Sequence, residues 1–550
     1  MKTTKTKILS ALAKVFPDQE PVSCSACNVL TVLKNDMVSF QLALQVQQLH
    51  GRQQLKVKVT SPIKNYITVR KVELVPSLLP AKPNHDANYL KTIPGLFPDI
   101  LKEISDDGFW VTPGMWNSLW FDVEIDTSVK SGTYDIDIQI LNDEGFVLSE
   151  QKTKIEIIDK ILPDQTLIHT EWFYCDCLAN YYNVEVFCED FWNIVNNYIK
   201  NAVSRGINMI LTPIFTPPLD TKVGSERLTV QLVDIYETEG IYTFNFDKLK
   251  RWVDMCIKAG VKYFEMAHLF TQWGATAAPK IMVEVNGVYQ QRFGWDTNAT
   301  GEDYKEFLDQ FLPALTCILK ECSIAECTYF HISDEPNIDN LDTYMAAKEM
   351  VKEHLQEFVI IDALSNYEFY EKGIVDKPIP ANNHIDPFLN HQVPDLWTYY
   401  CVSQGVDVSN RFMSMPSARN RIIGAQLYKY NIEGFLHWGY NFYNSQYSME
   451  PINPYEITDA KQAFPSGDAF LVYPGENGKP VESIRMMVFY HALNDMRAME
   501  LLESLVDRKF VVNLLESEIN NPITFSEYPT CDMYLLQLRN RINREIGKRS

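Results

Sequence analysis

The feature that most constrains this chain is a change in hydrophobic period near residue 163. Before it, apolar residues alternate with polar ones. Tyr134, Ile136, Ile138 and Ile140 fall on one face, with Asp135, Asp137 and Gln139 on the other. Val38 to Val46 and Leu55 to Thr60 repeat the pattern, and Ser131-Gly132 and Asn142 to Gly145 supply turns. Period-two alternation describes sheets with one wet face, so residues 1–160 read as an antiparallel β-sandwich. This region shows no catalytic constellation.

After Asp159-Lys-Ile-Leu-Pro-Asp164, short apolar runs alternate with stripes of helical spacing. Eight runs read as strands: Leu167–Phe173, Ile207–Pro213, Tyr263–Leu269, Thr328–Ile332, Phe358–Ala363, Ile379–His384, Leu396–Cys401 and Gly434–Trp438. Between them lie the stripes Phe191/Ile194/Val195/Tyr198/Ala202, Tyr304/Phe307/Leu308/Phe311/Leu315/Ile318 and Tyr344/Ala347/Val351/Leu355. Pro313 should bend the second of these helices, and the fifth helix looks degenerate. A last helix is predicted from about Ser483 to Leu505. Eight strands with intervening helices over residues 161–505 predict a (β/α)₈ TIM-type barrel. Two βα connections are long, Pro217 to Phe244 and His268 to Gly301. The first contains a strand-like piece at Leu228–Val233 and the second carries Trp273 and Trp295. Long loops on this face of a barrel shape substrate sites. Residues 506–550 read as a covering segment with one strand-like piece and a solvated basic helix, Arg539 to Arg549.

Composition excludes several classes. The net charge of -21 comes without an offsetting basic segment, which argues against nucleic-acid binding. No run approaches the roughly 20 apolar residues of a membrane span. The N-terminal MKTTKTKILSALAKVF has an apolar run too short for a signal peptide, so a cytoplasmic location is expected. The eleven cysteines are scattered. Cys24 and Cys27 have metal-ligand spacing but no second pair, so no metal and no cofactor is expected.

The chemistry concentrates in Ser333-Asp334-Glu335-Pro336, at the end of the fourth predicted strand. Pro336 stops the ladder there, which puts two adjacent carboxylates at the catalytic face of the barrel. Many barrel glycosidases place an acid/base glutamate after strand four and a nucleophilic glutamate after strand seven, about 5–5.5 Å away. Here the seventh strand runs into Val402-Ser-Gln-Gly with no carboxylate, and Asp407 comes too late. A 2-acetamido sugar resolves this, because its own carbonyl oxygen acts as the nucleophile and the protein needs only two neighbouring carboxyls. Two like charges so close should also hold one of them protonated near neutral pH. The competing role for Asp334 and Glu335 is a cap on the following helix.

Around this pair the chain resembles glycoside hydrolase family 123, whose members are retaining β-N-acetylgalactosaminidases. The resemblance runs through His331-Ile-Ser-Asp-Glu-Pro336, Phe293-Gly-Trp-Asp-Thr297 and Tyr304 to Leu312. It continues in Gly434-Phe-Leu-His-Trp-Gly-Tyr-Asn441, Gly467 to Pro474 and the N-terminal Trp120 to Ile140. It implies a sandwich followed by a barrel, Asp334 as the group that orients the acetamido, and Glu335 as acid/base. It also implies exo-acting release of terminal β-linked GalNAc from a glycan or glycolipid. Family 20 hexosaminidases use a similar pair behind paired glycines, where this chain has Ile332-Ser333.

Candidate substrate contacts are Trp172 and Tyr174 after strand one, His268 after strand three and His331 in strand four. Tyr399 in strand seven and Trp438, Tyr440 and Asn441 after strand eight complete the set. Each has a bland alternative as a core residue. Glu171, Glu265 and Asp362 sit within apolar strands and read as buried network acids. Hydrolysis of another 2-acetamido sugar, such as β-GlcNAc, and noncatalytic glycan binding both remain open.

Overall fold

A computed structural model describes residues 4–22, 25–47, 51–336 and 338–549. The start of the N-terminal run and Cys24 lie outside the described residues. The N-terminal region forms two five-stranded sheets. One runs Thr4–Ser10, Asp36–Val46, Trp116–Ile125, Ile67–Ser77, Gly95–Glu103 in spatial order. The other runs Val29–Lys34, Val147–Ile161, Gly132–Asn142, Gln53–Thr60, Phe109–Val111. Ile136, Ile138 and Ile140 are buried between the sheets, while Asp135 faces solvent. The pairings are antiparallel except between Val29–Lys34 and Val147–Ile161, which run parallel.

The eight predicted barrel strands are all present, as Ile168–Glu171, Met209–Thr212, Tyr263–Met266, Thr328–Phe330, Val359–Ala363, Lys377–Ile379, Trp397–Tyr399 and Gly434–His437. They form one parallel sheet in the order six, five, four, three, two, one, eight, seven. A parallel bridge from Ala381 to Tyr399 brings the two ends of the sheet together. Strand six is shorter and earlier than its apolar run suggests. Pro378 and Pro380 lack the N–H that a longer ladder needs. The helix after strand five is only Tyr367–Glu371. Helix Glu302–Glu321 runs unbroken through Pro313, its predicted stripe buried except at Ile318, which is partly buried.

Three expectations change. Leu228–Val233 is not a strand; Val230, Leu232 and Val233 are buried in irregular backbone and the strand begins at Asp234. The two long connections share one four-stranded sheet, in which Asp234–Thr238 pairs parallel with Ile281–Val285. The C-terminal stretch shows no strand among its described residues and forms helices Arg508–Glu516 and Asp532–Lys548. The second helix is solvated on one face only: Leu535, Arg539 and Ile542 are buried, while Arg544 and Lys548 are exposed. Arg539 is buried and donates to Asp36 at 2.5 Å and to Asp495 at 3.0 Å, joining the sandwich to helix Ile484–Leu505. Sandwich and barrel are pinned further by Arg70, between Asp122 and Glu482 at 2.5 Å each, and by Arg485 on Asp99 at 2.9 Å. No helix among the described residues is long and apolar enough to cross a membrane.

Candidate active site

Beyond Phe330 the carbonyls of His331 and Ile332 still accept from the amides of Leu269 and Phe270, and side chains hold the other edge of the backbone. The amides of Ile332 and Ser333 donate to Asp362 Oδ1 at 3.0 and 3.3 Å. Ser333 Oγ donates to the Thr271 carbonyl at 2.8 Å, and the Trp273 amide donates to the Asp334 carbonyl at 2.9 Å. The chain then turns, with Glu335 in the left-handed region at φ 44°, a conformation costly for a residue with a Cβ. The following helix starts at Leu341 with Asn340 as its N-cap. Asp334 and Glu335 therefore do not cap that helix.

Both carboxyls line a cleft of about 220 Å³ at the C-terminal ends of the barrel strands, with Trp172, Tyr174, Tyr399 and Trp438 among its walls. Tyr399 reaches across from strand seven and its hydroxyl donates to Glu335 Oε1 at 2.7 Å. Cys401 and Val402 continue that wall. Asp334 is pushed well above the usual carboxylate range, by burial first and by the Glu335 charge next. His331 works in the opposite direction.

His331 is fully buried, with Nε2 at 2.5 Å from Glu265 Oε1 and Nδ1 at 3.5 Å from Asp362 Oδ1. Burial opposes charge on this ring, but its bonds to Asp362 and Glu265 outweigh that and hold it at about 9. An imidazolium thus sits between two buried carboxyls, three residues before Asp334. Glu265 also accepts from Thr170 Oγ1 and, at 2.8 Å, from Trp172 Nε1. His268 stacks on His331 with centroids 4.2 Å apart; burial, then the His331 charge, pushes it well below the ordinary imidazole value. A second buried chain supports the opposite wall. Arg411 donates to Glu171 Oε1 at 2.6 Å and to His437 Nδ1 at 2.7 Å. The Gly439 amide donates to the same Nδ1 at 2.9 Å, which leaves the ring proton on Nε2, 3.4 Å from Asp468 Oδ1. Asp468 in turn accepts from Trp438 Nε1 at 3.0 Å, and burial raises it to about 7 against the pull of Arg411.

The predicted contacts therefore fall into two groups. Trp172, Tyr174, Tyr399 and Trp438 meet around the cleft with Asp334 and Glu335. His268 and His331 lie in the buried layer beneath it. Tyr440 points away, donating to the Tyr198 carbonyl at 3.0 Å and to Asn201 at 2.9 Å. Asn441 clamps the backbone of Tyr174, accepting from its amide at 2.9 Å and donating to its carbonyl at 3.0 Å. Glu171, Glu265 and Asp362 are the network acids just described. Asp220, Gln272 and Tyr447 also line the cleft and were not singled out in the sequence, although the long connections that carry Asp220 and Gln272 were. Burial raises Asp220 to about 6 despite the Tyr447 amide bond to its Oδ2 at 2.9 Å. Among the described residues no group of three or more His, Cys, Asp or Glu is arranged to hold a metal ion.

The chain superimposes on a family 123 glycoside hydrolase from Clostridium perfringens, whose structure was solved to explain glycolipid glycan hydrolysis. The match has a TM-score of 0.76 at 16% identity, over 99% of this chain and 98% of that one. Looser matches include a β-glucuronidase from Parabacteroides merdae (TM-score 0.30, 10% identity, 90% of this chain and 52% of that one). An endo-β-1,4-mannanase from Thermotoga petrophila gives a TM-score of 0.35 at 12% identity, over 60% of this chain and 77% of that one. No curated protein matches by sequence. The model of the glycoside hydrolase 123 catalytic domain matches residues 172–502, more than half of the chain and the whole of the cleft just described. This chain belongs to glycoside hydrolase family 123.

Proposed function

We propose that this glycosidase is a retaining exo-β-N-acetylgalactosaminidase that uses the substrate's 2-acetamido group as its nucleophile. The observation that carries the reading is the pairing of Asp334 and Glu335 in a small cleft whose strand-seven wall presents Tyr399, Cys401 and Val402 rather than a carboxylate. In the first step the acetamido oxygen attacks the anomeric carbon as the glycosidic bond breaks. Glu335 gives its proton to the departing oxygen. Asp334 accepts the amide N–H and faces the positive charge of the cyclised intermediate. A carboxyl that burial and a like charge destabilise in the empty cleft gains most when a positive charge develops beside it, which favours the transition state over the ground state. In the second step Glu335 takes a proton from water as the water opens the ring at the anomeric carbon. Two inversions retain configuration.

Asp220 is a third carboxylate in the cleft, but it lies on the loop after strand two, not after strand seven where a double displacement in such barrels places its nucleophile. It therefore suits a double displacement poorly. The test is hydrolysis of 4-nitrophenyl β-GalNAc and its β-GlcNAc epimer. Glu335→Gln should lose most activity on glycosides with poor leaving groups, and Asp334→Asn should lose it even with activated ones. Preference for the GlcNAc epimer would reassign the substrate to another 2-acetamido sugar. Saccharide binding without turnover would make the chain a glycan-binding protein. Equal retention of activity in both variants would remove the pair from the mechanism.

A further inference from the structure

The loop after strand seven, residues 402–416, carries Arg411 but contains no helix or strand. Val408 to Met415 are buried without exception. A buried irregular segment cannot bond to water, so its main-chain groups need protein partners. Many of those partners come from the other domain.

The sandwich reaches this loop with residues 78–94, the irregular connection between its strands Ile67–Ser77 and Gly95–Glu103. A connection of this length without regular structure is uncommon and usually functional. Asp86 is its central contact. The carboxylate accepts from Arg419 Nη1 and Nη2 at 2.9 and 2.6 Å, and from the Asp407 amide at 2.7 Å. Arg419 is itself buried and donates from Nε to the Val408 carbonyl at 2.7 Å. Tyr89 Oη donates to the Gly405 carbonyl at 2.8 Å, and the Leu90 amide donates to the Ser414 carbonyl at 2.7 Å. Lys14, also from the sandwich, donates from Nζ to the carbonyls of Met413 and Met415 at 2.7 Å each.

The loop passes this order to the cleft. Asn410 Nδ2 donates to the Cys401 and Gln404 carbonyls at 2.9 and 2.8 Å, which ties the loop to the strand-seven wall. Arg411, the next residue, donates to Glu171 in strand one, to His437 in strand eight and to the Gly439 carbonyl just beyond it. Through His437 and Asp468 that cation connects with Trp438 in the cleft. Lys14, Asp86, Tyr89 and Leu90 are not among the residues that line the cleft. Their influence on it must run through the loop.

We propose that residues 78–94 are a strap that sets the position of Arg411, which makes Asp86 and Tyr89 positioning residues for hydrolysis. The sandwich thereby completes the catalytic face of the barrel. This rests on the glycosidase reading above. The test pairs amide hydrogen exchange with kinetics on 4-nitrophenyl β-GalNAc and its β-GlcNAc epimer, under conditions where urea unfolding shows every variant folded. In Asp86→Ala, exchange over residues 408–416 should be at least about tenfold faster than in wild type. Its kcat/KM should fall about 10- to 100-fold, the scale on which a small remote displacement acts. Asp86→Asn, which keeps one acceptor, should recover part of both. Adding Asp86→Ala to Arg411→Lys should cost no further activity, because both act through one side chain. Unchanged exchange in the loop would overturn the strap. Faster exchange with kcat/KM within about twofold of wild type would overturn its role in hydrolysis. Losses that multiply in the double variant would overturn the route through Arg411. Wild-type protein that hydrolyses neither sugar would overturn the substrate reading, and the exchange result would still decide the strap.

Discussion

The charge on His331 offers the sharpest physical test of the site, and His331→Gln is the perturbation. The ring lies between Glu265 and Asp362 at 2.5 and 3.5 Å, is fully buried, and is held at about 9 against an ordinary value of 6.5. At about 1.4 kcal/mol per pH unit, that gap makes the folded-state charge worth about 3 kcal/mol. The sign follows from the direction of the change. A base held above its unfolded value contributes fully below pH 6.5, and the contribution is lost as pH rises through about 9. Removing the imidazolium also leaves Glu265 and Asp362 without their cation. Breaking a buried pair in this way costs about 3–5 kcal/mol. Urea unfolding followed by tryptophan fluorescence reads the effect directly, because Trp172 bonds to Glu265 at 2.8 Å. His331→Gln should unfold at a lower midpoint near pH 6.5. The gap from wild type should narrow by about 3 kcal/mol as pH rises past about 9. Midpoints that run parallel over this range would mean that His331 carries no charge in the fold, and the electrostatic account of the site would fail.

Three further outcomes follow from named contacts. Tyr399→Phe removes the 2.7 Å bond to Glu335; a bond to a charged group is worth about 1.5–3 kcal/mol, so kcat/KM should drop about 10- to 150-fold, and a loss under about twofold would count against the contact. Arg411→Met leaves Glu171 and its neighbours buried without their cation; urea midpoints should report a loss of about 3–5 kcal/mol, and a loss under about 1 kcal/mol would contradict the network. Gly434→Ala puts a Cβ 2.1 Å from the Trp397 ring where strands seven and eight pair; a melting temperature equal to that of wild type would refute the close approach.

Much of the fold was legible because it depends on local period. The Ile136, Ile138, Ile140 alternation needs a sheet with one buried face, and the stripe through Tyr304, Phe307 and Phe311 needs a helix. Where proline decides, periodicity misleads. Strand six ends at Ile379, ahead of Pro380, which has no N–H to donate. The basic helix at the C-terminus reads as solvated because its arginines look like a surface face. Only the carboxyls of Asp36 and Asp495, distant in sequence, make Arg539 a buried residue.

The candidate active site divides in the same way. Asp334 and Glu335 are adjacent in the chain and end a strand, so the sequence alone determined that two carboxyls share one place on the barrel. Tertiary structure alone decided what surrounds them. Tyr399 reaches Glu335 across 64 residues, His331 meets Glu265 across 66, and Asp220, Gln272, Trp273 and Tyr447 converge from loops after three different strands. Tertiary structure also decided that Tyr440 and Asn441 serve the frame rather than the cleft. The physical reason is range. A pattern of neighbouring side chains records which face of an element is buried, but partners drawn from distant loops leave no periodic mark on the residues between them.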